Sequence, residues 1–141
     1  MDERIRHSCQ IEKARKLLQA SGKSAVEVIA DYLHFLWKHA LENIEQDMGV
    51  EAVDGTPFRV VITVPAVWNH KAIARMKKAA LKSGMLDNRL CGETILHFVS
   101  EPEAAALATF HDMRSRPDFK VGDSIVVCDA GGGTVVSLRT S

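Results

Sequence analysis

The sequence predicts an α/β fold with a mixed sheet flanked by helices. Three observations predict it. Phe58-Arg-Val-Val-Ile-Thr-Val64 is nearly continuous apolar sequence, as expected of a central strand covered on both faces. Segments with the 3.6-residue helical period lie on either side of it. Near the C-terminal end, Asp129-Ala-Gly-Gly-Gly-Thr134 sits between two short runs rich in β-branched residues.

Residues 3–20 read as a charged helix with a thin apolar stripe of Ile5, Ile11, Leu17 and Leu18. Ser21-Gly22 breaks it. Ser24 opens a second helix, with Glu27 three residues on completing a capping box. Its apolar positions run Val26, Ile29, Ala30, Leu33, Leu36, Trp37, Ala40, Leu41 and Ile44, and Gly49 ends it. Val50–Pro57 reads as a loop turning at Asp54-Gly55. After the strand that Pro65 terminates, Asn69 caps a third helix reaching Ser83, with Gly84 as its stop. Thr94–Val99 is a second strand. Pro102 falls in the first turn of a fourth helix, which runs from Glu103 to about Met113. Arg114–Gly122 is a loop. Ile125–Cys128 and Val135–Leu138 are the strands of a closing hairpin.

Composition narrows the function classes. The chain has 141 residues, one domain by length, and is 46% hydrophobic and 26% charged, ordinary for a soluble globular protein. A compact fold of that size buries roughly 68–70% of its unfolded surface. Lysine plus arginine number 18 and aspartate plus glutamate 18, so global steering toward nucleic acid or an anionic membrane is not expected. Cys9, Cys91 and Cys128 are widely spaced and odd in number, which points to reduced thiols and a cytoplasmic or nuclear location. The N-terminal residues lack the apolar core of a signal peptide, and no apolar run approaches the roughly 20 residues of a membrane helix.

Several motifs have a structural reading beside a chemical one. Ser21-Gly-Lys-Ser24 is similar to the end of a phosphate-binding loop, but Leu17 stands where its first glycine should be and helix precedes it. A helix break followed by an N-cap explains every residue. Lys71, Arg75, Lys78 and Lys82 share one face of the third helix, which reads as its solvated side rather than a phosphate grip. The six histidines show no zinc spacing, and His34, His39 and His97 are read as packing or surface residues. Cys128, inside a strand, reads as a small core residue. The triple glycine permits a tight turn whose N–H groups crowd around an anion, with Asp129 able to hold a hydrated metal and Thr134 able to reach a phosphate oxygen. A glycine-rich turn without a ligand fits the segment equally. Glu101 stands where a strand meets a helix N-terminus, a crevice in which α/β proteins bind ligands, and it is also readable as a plain helix cap.

Three segments taken in order are specific. Val61-Ile-Thr-Val-Pro-Ala-Val-Trp-Asn69, Glu101-Pro-Glu-Ala-Ala-Ala-Leu-Ala108 and Val127-Cys-Asp-Ala-Gly-Gly-Gly-Thr134 together resemble the actin-like ATPase domain of the seventy-kilodalton heat-shock chaperones, and more closely the divergent chaperone-like ATPases of eukaryotes. The resemblance spans about residues 20–138. It implies an incomplete actin-like ATPase fold of the ribonuclease H-like type. Residues 1–23 would be an N-terminal helical segment. Residues 24–141 would be the middle portion of the nucleotide-binding domain, across the junction of its two lobes.

By the same resemblance, Gly131, Gly132, Gly133 and Thr134 would contact the phosphates of ATP or ADP. Asp129 would hold magnesium through water, and Glu101 and Thr134 would serve catalysis by placing the attacking water and the γ-phosphate. Pro65 would sit at the hinge that relays nucleotide state. Unfolded clients and co-chaperones would be partners through segments outside this sequence. Val136 replaces an aspartate usual in the family, and Ile73 replaces a relay arginine, with Arg75 nearby. The first phosphate hairpin, its lysine and the adenosine-binding segment have no counterpart, and only seven residues follow Thr134, so an incomplete copy with weak or no ATPase activity alone is expected. Two alternatives stand beside this reading: a non-catalytic interaction fragment, and a small-molecule kinase of the same superfamily.

Overall fold

The structure, a computed structural model, describes residues 9–113, 125–130 and 135–140. In chain order these form α1 (Cys9–Ser21), α2 (Ala25–Met48), α3 (Val50–Gly55), β1 (Arg59–Val64), α4 (His70–Lys82), β2 (Ile95–Ser100), α5 (Glu101–Met113), β3 (Ile125–Ala130) and β4 (Val135–Thr140). The expected alternation of strand and helix is present. Two compact units result, one of Met1–Pro57 with Ala74–Thr94 and one of Phe58–Ile73 with Ile95–Ser141.

The first unit is helical. Ser24 caps α2 through the reciprocal box read from the sequence. The Glu27 N–H donates to Ser24 Oγ at 3.3 Å, and the Ser24 N–H donates to Glu27 Oε2 at 2.9 Å. Ala30 and Leu33 on α2, Val53 on α3, Ala79 and Ala80 on α4, and Met85 are its buried apolar residues. Two side chains tie α2 to the end of α4: Lys82 Nζ lies 3.1 Å from Glu27 Oε1, and His34 Nδ1 lies 2.9 Å from the Ser83 carbonyl. Gly84 ends α4 at φ 82°, a left-handed conformation that glycine adopts without the steric cost of a Cβ.

One expected loop is a helix. Val50–Gly55 forms α3, and Asp54-Gly55 is its last turn rather than a free bend. The segment is too short to show a helical period, but burial of Val53 and the Val53 carbonyl accepting a hydrogen bond from Arg89 hold it in place.

In the second unit β1 and β2 are parallel, in a register from Arg59↔Ile95 to Val64↔Ser100, and β3 and β4 are antiparallel. The described strands thus form two two-stranded sheets rather than the single mixed sheet expected. α5 packs on all four strands, burying Pro102 and Ala106. β1 is not covered on both faces. Val60, Ile62 and Val64 are buried or half-buried, while Val61 is 56% exposed, because among the described elements no layer seals the outward side.

Candidate functional site

The hairpin predicted around the triple glycine is formed by its flanks. β3 and β4 pair in register from Ile125↔Thr140 to Ala130↔Val135, which leaves residues 131–134 to connect them. Gly131, Gly132, Gly133 and Thr134, the expected phosphate contacts, lie outside the described residues. Asp129 is placed by its main chain one residue from the inner end of β3, directly across from Val136. That register gives physical content to the departure noted in the sequence. An aspartate at 136 would occupy the register position paired with Asp129, where this sequence has valine.

Glu101 is the first residue of α5, immediately after the last residue of β2, and is half-buried. The helix cap falls to its neighbour. The Glu103 N–H donates to Ser100 Oγ at 3.4 Å, so Ser100-Glu101-Pro102-Glu103 is a second Ser-x-x-Glu pattern. Among the described residues no hydrogen bond or ion pair engages the Glu101 carboxylate. The plain-cap reading of Glu101 is therefore replaced by a Ser100 cap, a signal present in the sequence as the serine three residues before a glutamate. α5 packs on the β3–β4 hairpin as well as on β1 and β2, so one helix carries Glu101 and buttresses the strands that bear Asp129.

The other candidates resolve structurally. Ser21-Gly-Lys-Ser24 is a helix break with Gly22 at φ 65°. Lys23 there reaches Asp31 at 2.5 Å, and hydrogen bonding to that carboxylate raises its ammonium pKa. Lys71, Arg75 and Lys78 are exposed, and Lys82 is paired with Glu27. His39 contacts the side chain of Asn43, and His97 is exposed on β2. Cys128 is exposed, not a core residue, because alternation along β3 turns it outward together with Val126. Pro65 begins a turn in which its carbonyl accepts from the Trp68 N–H at 2.9 Å. Among the described residues no group of three or more His, Cys, Asp or Glu could hold a metal, and no helix is long and apolar enough to cross a membrane.

Comparison with known proteins gives a consistent set of relatives. The chain is 36% identical over 115 residues to a chaperone protein HscA homolog of Acidithiobacillus ferrooxidans, covering 82% of this chain and 15% of that protein. It is 33% identical over 93 residues to human heat shock 70 kDa protein 12A, covering 64% of this chain and 13% of that protein. It is 31% identical over 107 residues to human heat shock 70 kDa protein 12B, covering 74% and 15%. No family model matches the chain, and no solved structure does. The chain thus spans about 15% of the length of the curated relatives it matches.

Proposed function

The chain belongs, as a partial domain, to the seventy-kilodalton heat-shock family, and from that premise we propose that it is a nucleotide-contacting segment of an actin-like chaperone ATPase domain. In this reading residues 24–141 are the middle of the nucleotide-binding domain and residues 1–23 a helical extension. The backbone N–H groups of Gly131, Gly132 and Gly133 and the hydroxyl of Thr134 hold phosphate oxygens of ATP or ADP. The Asp129 carboxylate would hold magnesium through water, and the ion would neutralise phosphate charge. Glu101 orients the water that attacks the γ-phosphate. The same proposal includes unfolded clients and co-chaperones as partners and a cytoplasmic or nuclear location.

The observation that supports this most is the division of labour at the start of α5. Ser100 takes the capping role, and the adjacent half-buried carboxylate has no hydrogen bond or ion pair among the described residues, on the helix that backs the glycine hairpin. A carboxylate so placed suits a functional role. With Val136 paired with Asp129 in the ladder and one hairpin among the described residues, the segment is expected to bind nucleotide weakly and turn it over slowly or not at all. Thermal stabilisation by ADP or ATP with magnesium, reduced by Asp129→Ala and by Glu101→Gln, is the expected result. A melting curve blind to nucleotide at millimolar concentration would refute the reading.

The exposed outward side of β1 favours the second reading, a non-catalytic interaction fragment whose half-sheet pairs with another chain. A nucleotide-blind oligomer broken by a charge at Val61 is its signature. Phosphate transfer from ATP to small molecules would select the kinase reading instead.

A further inference from the structure

We propose that the α1–α2 helix pair is a self-association surface whose occupant is a second copy of this chain. α2 is apolar on two opposite sides. One side carries Ala30 and Leu33 into the helical unit's core. The other carries Val28, Tyr32 and Phe35, spaced four and then three residues apart and hence on one face, with Tyr32 66% and Phe35 70% exposed. A helix with two apolar faces is patterned to lie between two layers, and the described residues supply one. α1 is the complement of this. None of its residues is buried, and Leu17 is 63% exposed. Between α1 and α2 lies an apolar groove of about 540 Å³, lined by Leu17, Leu18, Ala25, Val28 and Ile29. Val28 belongs to both the groove and the exposed face, so the two form one continuous apolar surface.

Charge selects the occupant. α1 carries three basic residues (Lys13, Arg15 and Lys16) against Glu12 alone. α2 carries five acidic residues (Glu27, Asp31, Glu42, Glu45 and Asp47) against Lys38 alone, and even with Glu27 met by Lys82, Asp31 by Lys23 and Glu42 by Lys38 the helix keeps an acidic excess in Glu45 and Asp47. About a two-fold axis, the basic helix of each copy meets the acidic helix of the other, and the match is made twice with no third component. The result is a four-helix arrangement in which each groove receives its partner's α1. All of these residues belong to the helical unit and none to the glycine hairpin, so the inference stands whether or not nucleotide binds.

Sedimentation velocity and light scattering of the full chain over a micromolar concentration series test it. The expected species has twice the 15.5 kDa chain mass. Leu17→Glu and Phe35→Glu, made separately, are each expected to raise the dimer dissociation constant by about tenfold or more, since each places a charge in the apolar contact. Both positions are exposed, so helical circular dichroism is expected to stay unchanged. Reversing α1 with Lys13→Glu, Arg15→Glu and Lys16→Glu together is expected to weaken association by a similar factor, and this variant leaves the apolar residues in place. A chain that is monomeric throughout the series overturns the proposal and assigns the surface to another polypeptide segment. An oligomer that neither apolar variant nor the charge reversal weakens also overturns it.

Discussion

Two helices of this chain begin on the same Ser-x-x-Glu pattern, and they begin differently. At α2 the box is closed. Ser24 Oγ accepts from the Glu27 N–H, Glu27 accepts from the Ser24 N–H, and Lys82 reaches the same carboxylate. At α5 the box is half-made. Ser100 Oγ accepts from the Glu103 N–H at 3.4 Å, but Ser100 is also the last residue of β2, its main chain held opposite Val64 in the sheet. A serine that ends a strand cannot turn its backbone freely toward the helix it caps. The difference shows what each helix start is for. The first anchors a helix chiefly by local hydrogen bonds, with Lys82 added from α4. The second lets the sheet set the helix position and leaves Glu101 beside it with no hydrogen bond or ion pair among the described residues.

The sharpest way to break the comparison is to remove what stands behind the first box. Leu33 is buried nine residues past the Ser24 cap of α2, so Leu33→Ala is expected to cost about 2–5 kcal/mol. The chain's two tryptophans report the units separately, Trp37 in the helical unit and Trp68 in the other. Urea unfolding of single-tryptophan variants (Trp37→Phe or Trp68→Phe) is expected to show the loss through Trp37. An equal loss through Trp68 would mean that the two units unfold as one.

The caps themselves come next. Ser24→Ala is expected to cost about 1 kcal/mol, because it leaves an orphan donor at the start of a 24-residue helix. Ser100→Ala is expected to cost ~0.5 kcal/mol or less, because its bond is longer and the sheet already fixes the helix start. Equal costs for the two substitutions would remove the distinction between the helix starts.

What could be read from the sequence follows the same line. Local signals were legible wherever one residue acts on a near neighbour. The Ser24 box, the Asn69 cap accepting from the Ala72 N–H at 3.0 Å, and the Gly84 stop all appear as read. The hairpin flanks were legible from β-branched composition. α3 was not, because Asp54-Gly55 ends a single-turn helix with the same residues that make a free turn. The second apolar face of α2 was not, because Val28, Tyr32 and Phe35 interleave with the core positions and a period search finds one stripe first. Nor was the exposure of Val61 and Cys128, since a run of apolar residues states what a strand can bury and not how many layers arrive to bury it. At the candidate site, the place of Glu101 at a strand-to-helix junction was legible. The Ser100 cap has its signal in the sequence too, a serine three residues before Glu103, the same pattern that opens α2.

The smallest effect is the most specific to the closed box. Hydrogen bonds from the Ser24 backbone N–H and then its hydroxyl, with Lys82 behind them, hold the Glu27 carboxyl down to about 2, against an ordinary value of 4.5. A carboxyl depressed on folding adds stability that is present above its unfolded pKa and lost as pH falls through the folded one. The α2 cap is therefore expected to weaken between about pH 4.5 and about pH 2, and to be unaffected by titration above that window. Glu27 is exposed, so solvent and salt screen the effect and the slope is shallow. Thermal melts across the window, run for the wild type and for Glu27→Gln, isolate it as the difference in slope. Lys82→Met is expected to remove a smaller part, since the serine's hydrogen bonds act on the carboxylate more strongly than the lysine does. If Lys82→Met flattened the acid limb as fully as Glu27→Gln, the tie between α2 and α4 rather than the local box would be what the acid breaks, and α2 would depend on its neighbours as α5 depends on its sheet.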